Sequence, residues 1–336
     1  MMSSNRTDED PTYSIKSISR SAMSAIFAIT ALMGNLLVLK AIHRFRRLRT
    51  YSNTIICNLS LADVLFSTFV APINAFYWSQ EKLQPSSFTC HVTGVGALLF
   101  GISSIYTLVF VSIERFLAIT YPLKHRQVFS TKVIGIGLMI IWLSTLAICL
   151  LSFAVSKYKY IESFYHCIAA WDESLAYTVT IICVGNVLPM LVLIYCNVRV
   201  FKVIRDRRKL SKIRMTNPNR DKVNAMKSSQ KRASFIVMIV ISVFVISWTP
   251  YCLSMLCLAI DGCRLPPWFM SASVVLTIAN GSFNPLIYGL LNKNFRRAFA
   301  ELLHLSKRQQ LAVVAQSPSH GIPKFVRSEP STSTQS

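Results

Sequence analysis

Seven apolar runs, each long enough to cross a bilayer, decide what this chain can become. They read at about 20–42, 53–78, 90–120, 133–155, 175–198, 233–259 and 267–290, and a spanning helix needs roughly 20 such residues. Hydrocarbon offers no partner to a bare peptide group, so each run must close its own hydrogen bonds as a helix. Composition agrees: with 52% hydrophobic residues and only 15% charged ones, the chain has too little polar surface to coat a soluble globule of its length. The expected fold is an all-α membrane protein, a seven-transmembrane-helix bundle.

Orientation follows from the basic residues. The connections at 43–52, 121–132 and 199–232 hold 20 Lys and Arg, against four in those at 79–89, 156–174 and 260–266. The first set therefore faces the cytoplasm and the amino terminus lies outside. Residues Met1 to Pro11 are polar, with Asp8, Glu9 and Asp10, and lack the pattern of a cleavable signal, so the first span is expected to target the chain. The net charge of +22 is that of an inner rim meeting anionic lipid headgroups, or an acidic partner, rather than nucleic acid. No aromatic rings interleave Arg205 to Lys212, as base stacking would need.

The expected layout is an extracellular amino terminus at 1–19, the bundle at 20–291, a membrane-surface helix at 292–303 and a disordered cytoplasmic tail at 304–336. In the short helix Phe295, Phe299, Leu302 and Leu303 oppose Lys293, Arg296 and Arg297, which makes it amphipathic. The tail is rich in Ser, Thr, Gln and Pro and cannot bury a core.

Most of the nine cysteines sit inside spans, where Cys57, Cys149, Cys183, Cys196 and Cys252 serve as small apolar packing groups. Cys90, opening the third span, and Cys167, in the second outer connection, face an oxidising exterior that permits a bridge. Cys257 and Cys263 are candidates for a second one. Asn5-Arg6-Thr7 is a glycosylation sequon on the outer side, whereas similar triplets at Asn58 and Asn280 lie within spans.

One marker per span then identifies a resemblance. In order they are Gly34-Asn35, Leu59-Ser60-Leu61-Ala62-Asp63, Glu114-Arg115-Phe116, Trp142, Pro189, Phe244 with Trp248-Thr249-Pro250-Tyr251, and Asn284-Pro285-Leu286-Ile287-Tyr288. Together they resemble the rhodopsin-like G-protein-coupled receptors over roughly residues 20–303. Residues 288–296 are also similar to the end of the seventh helix in melatonin-type receptors, which usually have alanine where this chain has Pro285.

The resemblance implies roles that make chemical sense. An isolated Asp63 near mid-bilayer needs hydrogen bonds, a proton or a cation. Asn35, Ser104, Asn280 and Asn284 are its available partners, either as a plain polar network or as a sodium pocket with Asp63 and Ser104 as ligands. Gly281 stands where many relatives have a polar side chain. Pro250 should kink the sixth helix beside Trp248, and Ile105, Pro189 and Phe244 match the packing triad that rearranges between states. Arg115 should pair with Glu114 at rest and meet a heterotrimeric G protein when active, with Tyr288 holding the open form and Leu123 either inserting into the partner or lying with its helix end at the lipid surface. Phe116 keeps the ring of the family's third position and loses its hydroxyl.

Two departures are larger. Asn197 replaces a tyrosine that relatives use to reach Tyr288, and the stretch Lys227 to Arg232 lacks the acid that locks Arg115 across the bundle. Basal signalling is therefore expected. Phosphorylation of the tail, at Ser317, Ser319, Ser328 or Ser331 to Ser336, would recruit arrestin after a receptor kinase.

The pocket wall implied by the family is Ala97, Gly101, Ile181, Tyr251, Cys252, Met255, Val274 and Ile278. Ala97 stands where amine receptors carry aspartate and Ile278 where opsins carry the chromophore lysine, so neither a monoamine nor light is expected. A neutral or lipophilic ligand is favoured. A peptide engaging Glu162, Asp172 and Glu173 is second. Beside the receptor stand a seven-span transporter or channel, which would need more ionisable groups at mid-depth than Asp63, and an enzyme. For the latter no metal-ligand cluster or nucleophile with a base is evident, and His91, His125 and His166 lack zinc spacing. Apart from sodium, no cofactor is expected.

Overall fold

The computed structural model describes residues 11–80, 83–155, 158–161, 164, 166–169, 175–213, 221–260 and 262–303. Asn5, Glu162, Asp172, Glu173 and the tail from 304 lie outside them. Seven helices within the described residues are long and apolar enough to cross a membrane. They form one compact unit up to Phe299. A second unit runs from Ala300, and in it Ala300 to Leu302 are helical.

The first helix, α1 (Pro11–Arg44), begins nine residues before the apolar run and closes on the basic residues His43 and Arg44; the Arg44 guanidinium suits the negative end of a helix dipole. A 3-10 turn follows. Thr50 then caps the next helix by accepting a hydrogen bond from the Asn53 amide at 3.3 Å. The second span is two helices rather than one, α2 (Tyr51–Phe69) and α3 (Ala71–Ser79), joined at Val70. Pro72 causes the break: it has no N–H to donate and its ring clashes with the preceding turn, so it sits in the first turn of a new helix.

The third span, α4 (Ser87–Thr120), starts on a Ser86 cap and is the central post, touching the second, fourth, fifth and sixth spans. A short helix, α5 (Pro122–Val128), leads into the fourth span, α6 (Thr131–Val155). Next comes an element not expected in an all-α chain, an antiparallel hairpin of β1 (Tyr158–Ile161) and β2 (His166–Ala169), with Tyr158 opposite Ala169 and Tyr160 opposite Cys167. The Cys90–Cys167 disulfide, Cα atoms 5.0 Å apart, ties it to the start of α4.

The fifth span also departs from a plain helix. α7 (Leu175–Ile182) widens into a π turn at Cys183–Val187 before α8 (Leu188–Ile213). Pro189 cannot donate to the preceding turn, and an extra residue there absorbs the mismatch. The Tyr106 hydroxyl donates to the Val184 carbonyl at 3.3 Å. The sixth span lies in α9 (Asp221–Leu258), with Pro250 inside it, and the seventh is α10 (Pro267–Leu291), with Pro285 inside it. A second disulfide, Cys257–Cys263, clips the end of α9 to the following turn. The amphipathic α11 (Lys293–Leu302) buries Phe295 and Ala298 while Lys293, Arg296 and Arg297 are exposed.

Packing is that of a protein in lipid. Large apolar chains such as Ile29, Met33, Met139, Leu143, Leu150 and Leu191 point outward, whereas Ser24, Asn35, Ser103, Thr145 and Ser254 are fully buried between helices. Lipid supplies no hydrophobic drive for helices to associate, so close packing through small residues and shared hydrogen bonds must do so. One such stitch joins three spans: Trp142 Nε1 donates to Asn58 Oδ1 at 2.8 Å, Asn58 Nδ2 to Thr107 Oγ1 at 2.7 Å, and Thr107 to the Ser103 carbonyl at 2.6 Å.

Candidate functional site

The candidate side chains occupy three levels along the bundle: a cavity at the hairpin end, a polar cluster and aromatic stack at mid-height, and a charged clasp at the end carrying the basic connections.

At the hairpin end all eight expected wall residues, Ala97, Gly101, Ile181, Tyr251, Cys252, Met255, Val274 and Ile278, line one cavity of about 870 Å³, its mouth included. Sequence reasoning missed other parts of its wall. Asn74 arrives in the first turn of α3, because Pro72 restarts that helix; Asn186 comes from the π turn; and Tyr158, Ile168 and Ala169 come from the hairpin, which covers the cavity. Tyr158 lies so close to Gly94 that a Cβ on Gly94 would overlap its ring. Burial pushes the Tyr158 phenol above its ordinary pKa. Among the described residues lining the cavity none carries a formal charge.

Trp248 joins the cavity to the mid-level. It lines the cavity and stacks on Phe244 below, with ring centroids 5.5 Å apart at 18°, and meets Tyr251 edge-on at 5.9 Å. Across the bundle the ring presses on Gly101, where an added Cβ would lie 2.6 Å from Cη2. Ile105, Pro189 and Phe244 are buried on α4, α8 and α9, three helices that touch pairwise.

In the polar cluster Asn284 Nδ2 donates to Asp63 Oδ2 at 2.9 Å. Asn35 Nδ2 donates to the Ala31 and Gly281 carbonyls, both at 2.9 Å, pinning α1 to α10. Ser104 and Asn280 are buried, but the described hydrogen bonds do not join them or Asn35 to Asp63. A Cβ on Gly281 would stand 3.5 Å from Asp63 Cγ, so a polar side chain there would reach the carboxylate, and this chain omits it.

At the basic end Glu114 is buried, with one face of its carboxylate turned to Arg115, whose Nε lies 3.3 Å from Oε2. Two further residues, neither recognised from sequence as functional, hold the same group. The Ser52 hydroxyl donates to Oε2, and His125 Nε2 lies 2.9 Å from Oε1. His125 projects from α5 and stacks on Phe129 at 5.0 Å. Its one available signal was its place a helical turn after Tyr121-Pro122, which brings it back against the end of α4. Phe116 meets Tyr121 edge-on and Tyr195 at a tilt of 57°. Asn197 donates to the Leu193 carbonyl of its own helix at 2.7 Å. Tyr288 is buried and stacks on Phe295 of α11 at 5.5 Å. Leu123 stands out from α5, 77% exposed.

Residues 34–288 match the family described as "7 transmembrane receptor (rhodopsin family)". Among curated relatives, melanopsin of Homo sapiens is 31% identical over 322 residues, covering 92% of this chain and 66% of the relative. Melatonin receptor type 1A of Mus musculus is 28% identical over 288 residues, covering 84% and 79%. Melanopsin-B of Xenopus laevis is 29% identical over 279 residues, and the chain spans about half, 52%, of its length. The crystal structure of squid rhodopsin superposes with a TM-score of 0.78 at 20% identity, covering 93% of each chain, which is a likeness of fold. Seven spans, a disulfide-tethered hairpin over a cavity and a family match from the first span to the last agree: the chain belongs to the rhodopsin family of seven-transmembrane receptors.

Proposed function

We propose that this protein is a G-protein-coupled receptor of the plasma membrane, with its amino terminus outside, that reports a small neutral or lipophilic ligand to heterotrimeric G proteins. One observation carries the reading: Trp248 is at once part of the cavity wall and part of the stack on Phe244, two residues from the helix-interior Pro250. A ligand that displaces its ring therefore acts on α9 where that helix has lost a backbone hydrogen bond. The swing of α9 frees Arg115 at the other end for a partner, Leu123 adds an apolar contact, and Tyr288 supports the open arrangement. This is a two-state element with a ligand at one end and a partner at the other, which is what coupling between sites requires.

The uncharged wall supports a neutral ligand over a charged peptide, and the melatonin receptor relatives are named for a small molecule. Light sensing is not part of the proposal, because Ile278 offers no amine for a Schiff base. The family match sets the transporter reading aside. In this reading arrestin and a receptor kinase act on the tail, and Asn5 carries a glycan.

The Asp63 cluster suits a sodium ion as allosteric modulator: a buried carboxylate receives its one described hydrogen bond on Oδ2, and the Asn35 Oδ1 and Ser60 Oγ atoms are buried without partners. Asp63 and Ser104 would hold the ion, which would supply charge neutralisation in the resting bundle. Replacing NaCl by choline chloride should then raise basal output, and Asp63→Asn should remove that dependence. A panel of chimeric G-protein reporters tests the main reading. Arg115→Ala should lose most coupling while surface expression persists, and equal output from both proteins would remove Arg115 from the mechanism.

A further inference from the structure

The cavity wall has two kinds of surface. Most of it is apolar, and its polar groups, on Asn74, Asn186, Tyr158, Tyr251, Thr277 and Trp248, are all neutral. These groups are not equally satisfied. Thr277 donates to the Val274 carbonyl at 2.7 Å. Asn74 is 5% exposed and its Nδ2 has no hydrogen-bond partner; buried Trp248 Nε1 has none either. Both unsatisfied atoms are donors.

A buried donor without an acceptor costs about 1–3 kcal/mol. Both atoms are closed to water in this structure, and a half-turn of the Asn74 amide brings Nδ2 to the cavity face, where a ligand acceptor removes that cost. A pure hydrocarbon strands the donor. A cation adds a second donor with no counter-charge, and an anion leaves water for a wall with no described positive charge to meet it.

We infer that the ligand is a neutral, mostly apolar molecule with a carbonyl-type hydrogen-bond acceptor, and that Asn74 Nδ2 is the group that selects it. The inference rests on the receptor reading and deepens it, since it names the ligand chemistry. Asn74 reaches the cavity because Pro72 restarts the helix two residues earlier, so the break in the second span is what places the selector. Trp248 offers a second donor on the residue that transmits occupancy, which suits a ligand with two acceptors better than one with one.

The test uses the purified full chain in detergent and four probes on one two-ring scaffold, substituted at the same carbon: acetylnaphthalene, isopropylnaphthalene, naphthoic acid and naphthylethylamine. Titrated thermal shift reads their relative affinities. The ketone should bind about tenfold more tightly than the hydrocarbon of the same shape, the value of one net hydrogen bond, and the acid and amine more weakly than either. In Asn74→Leu the ketone and the hydrocarbon should converge. Asn74→Asp should turn the preference to the amine, a gain that misfolding cannot imitate. Absent ketone binding, equal ketone and hydrocarbon affinities in the unaltered protein, or a ketone preference that survives Asn74→Leu would overturn the inference. If such a result came with Arg115-dependent reporter output intact, the ligand chemistry would fall and the receptor reading would stand; loss of that output would sink the receptor reading itself.

Discussion

In the proposed receptor the resting state turns on Glu114. Sequence alone pairs it with Arg115, its neighbour, and notes that no acid near Lys227 to Arg232 can hold Arg115 from the sixth span. The structure adds Ser52 from α2 and His125 from α5, so one carboxylate ties three elements together. Charge-assisted hydrogen bonds of this kind are worth about 1.5–3 kcal/mol each, enough to shift a two-state balance about tenfold. Glu114→Gln removes the charge that attracts both Arg115 and His125 and should raise basal reporter output about fivefold at matched surface expression. His125→Ala should raise it less, since Ser52 and Arg115 remain. If Glu114→Gln instead matches the unaltered receptor, the clasp does not restrain signalling. Asp63 was legible from sequence because an isolated carboxylate in an apolar run demands partners. Ser52 and His125 were not, because a serine at a helix start and a histidine in a short connection look like ordinary surface residues until the bundle brings them within reach.

At the scale of elements, the hairpin and its disulfide belong to the cavity. Cys90 and Cys167 are 77 residues apart in sequence, Cys257 and Cys263 only six. Loop-closure entropy assigns the first bridge about 4.5 kcal/mol and the second about 2 kcal/mol. The first also carries β2, and with it Ile168 and Ala169, onto the cavity. Cys90→Ser should therefore lower melting temperature and ketone binding together, whereas Cys263→Ser should lower melting temperature less and leave the probe preference in place. Fluorescence-detected melting with the same probes checks both, and equal losses would refute the distinction. The seven spans themselves were legible because hydropathy over about 20 residues averages out local detail. That averaging hid the break at Pro72 and the π turn before Pro189, both proline effects inside apolar runs. It also hid the hairpin, whose Tyr158-Lys159-Tyr160-Ile161 strand is too short to stand out between spans.

For the whole molecule, the distribution of charge and the position of the two sites make one argument. The basic connections gather at the end where Glu114, Arg115, Ser52 and His125 meet, and the disulfides gather at the other with the cavity. Bridges persist in an oxidising compartment and basic loops in the cytoplasm, so two independent rules give the same orientation. Membrane-impermeant thiol labelling can decide it in intact cells. A cysteine introduced at Phe88, 79% exposed at the start of α4, should react from outside, and one at Leu123, 77% exposed on α5, only after permeabilisation. Each is compared with the parent protein to subtract the native free thiols. Phe88 opens α4 beside the cavity end and Leu123 follows its far end beside the clasp, so their opposite accessibility is the geometric requirement for a signal to cross the membrane. Labelling of both from the same side would leave cavity and clasp in one compartment, and no tilt of α9 could then carry a message between two.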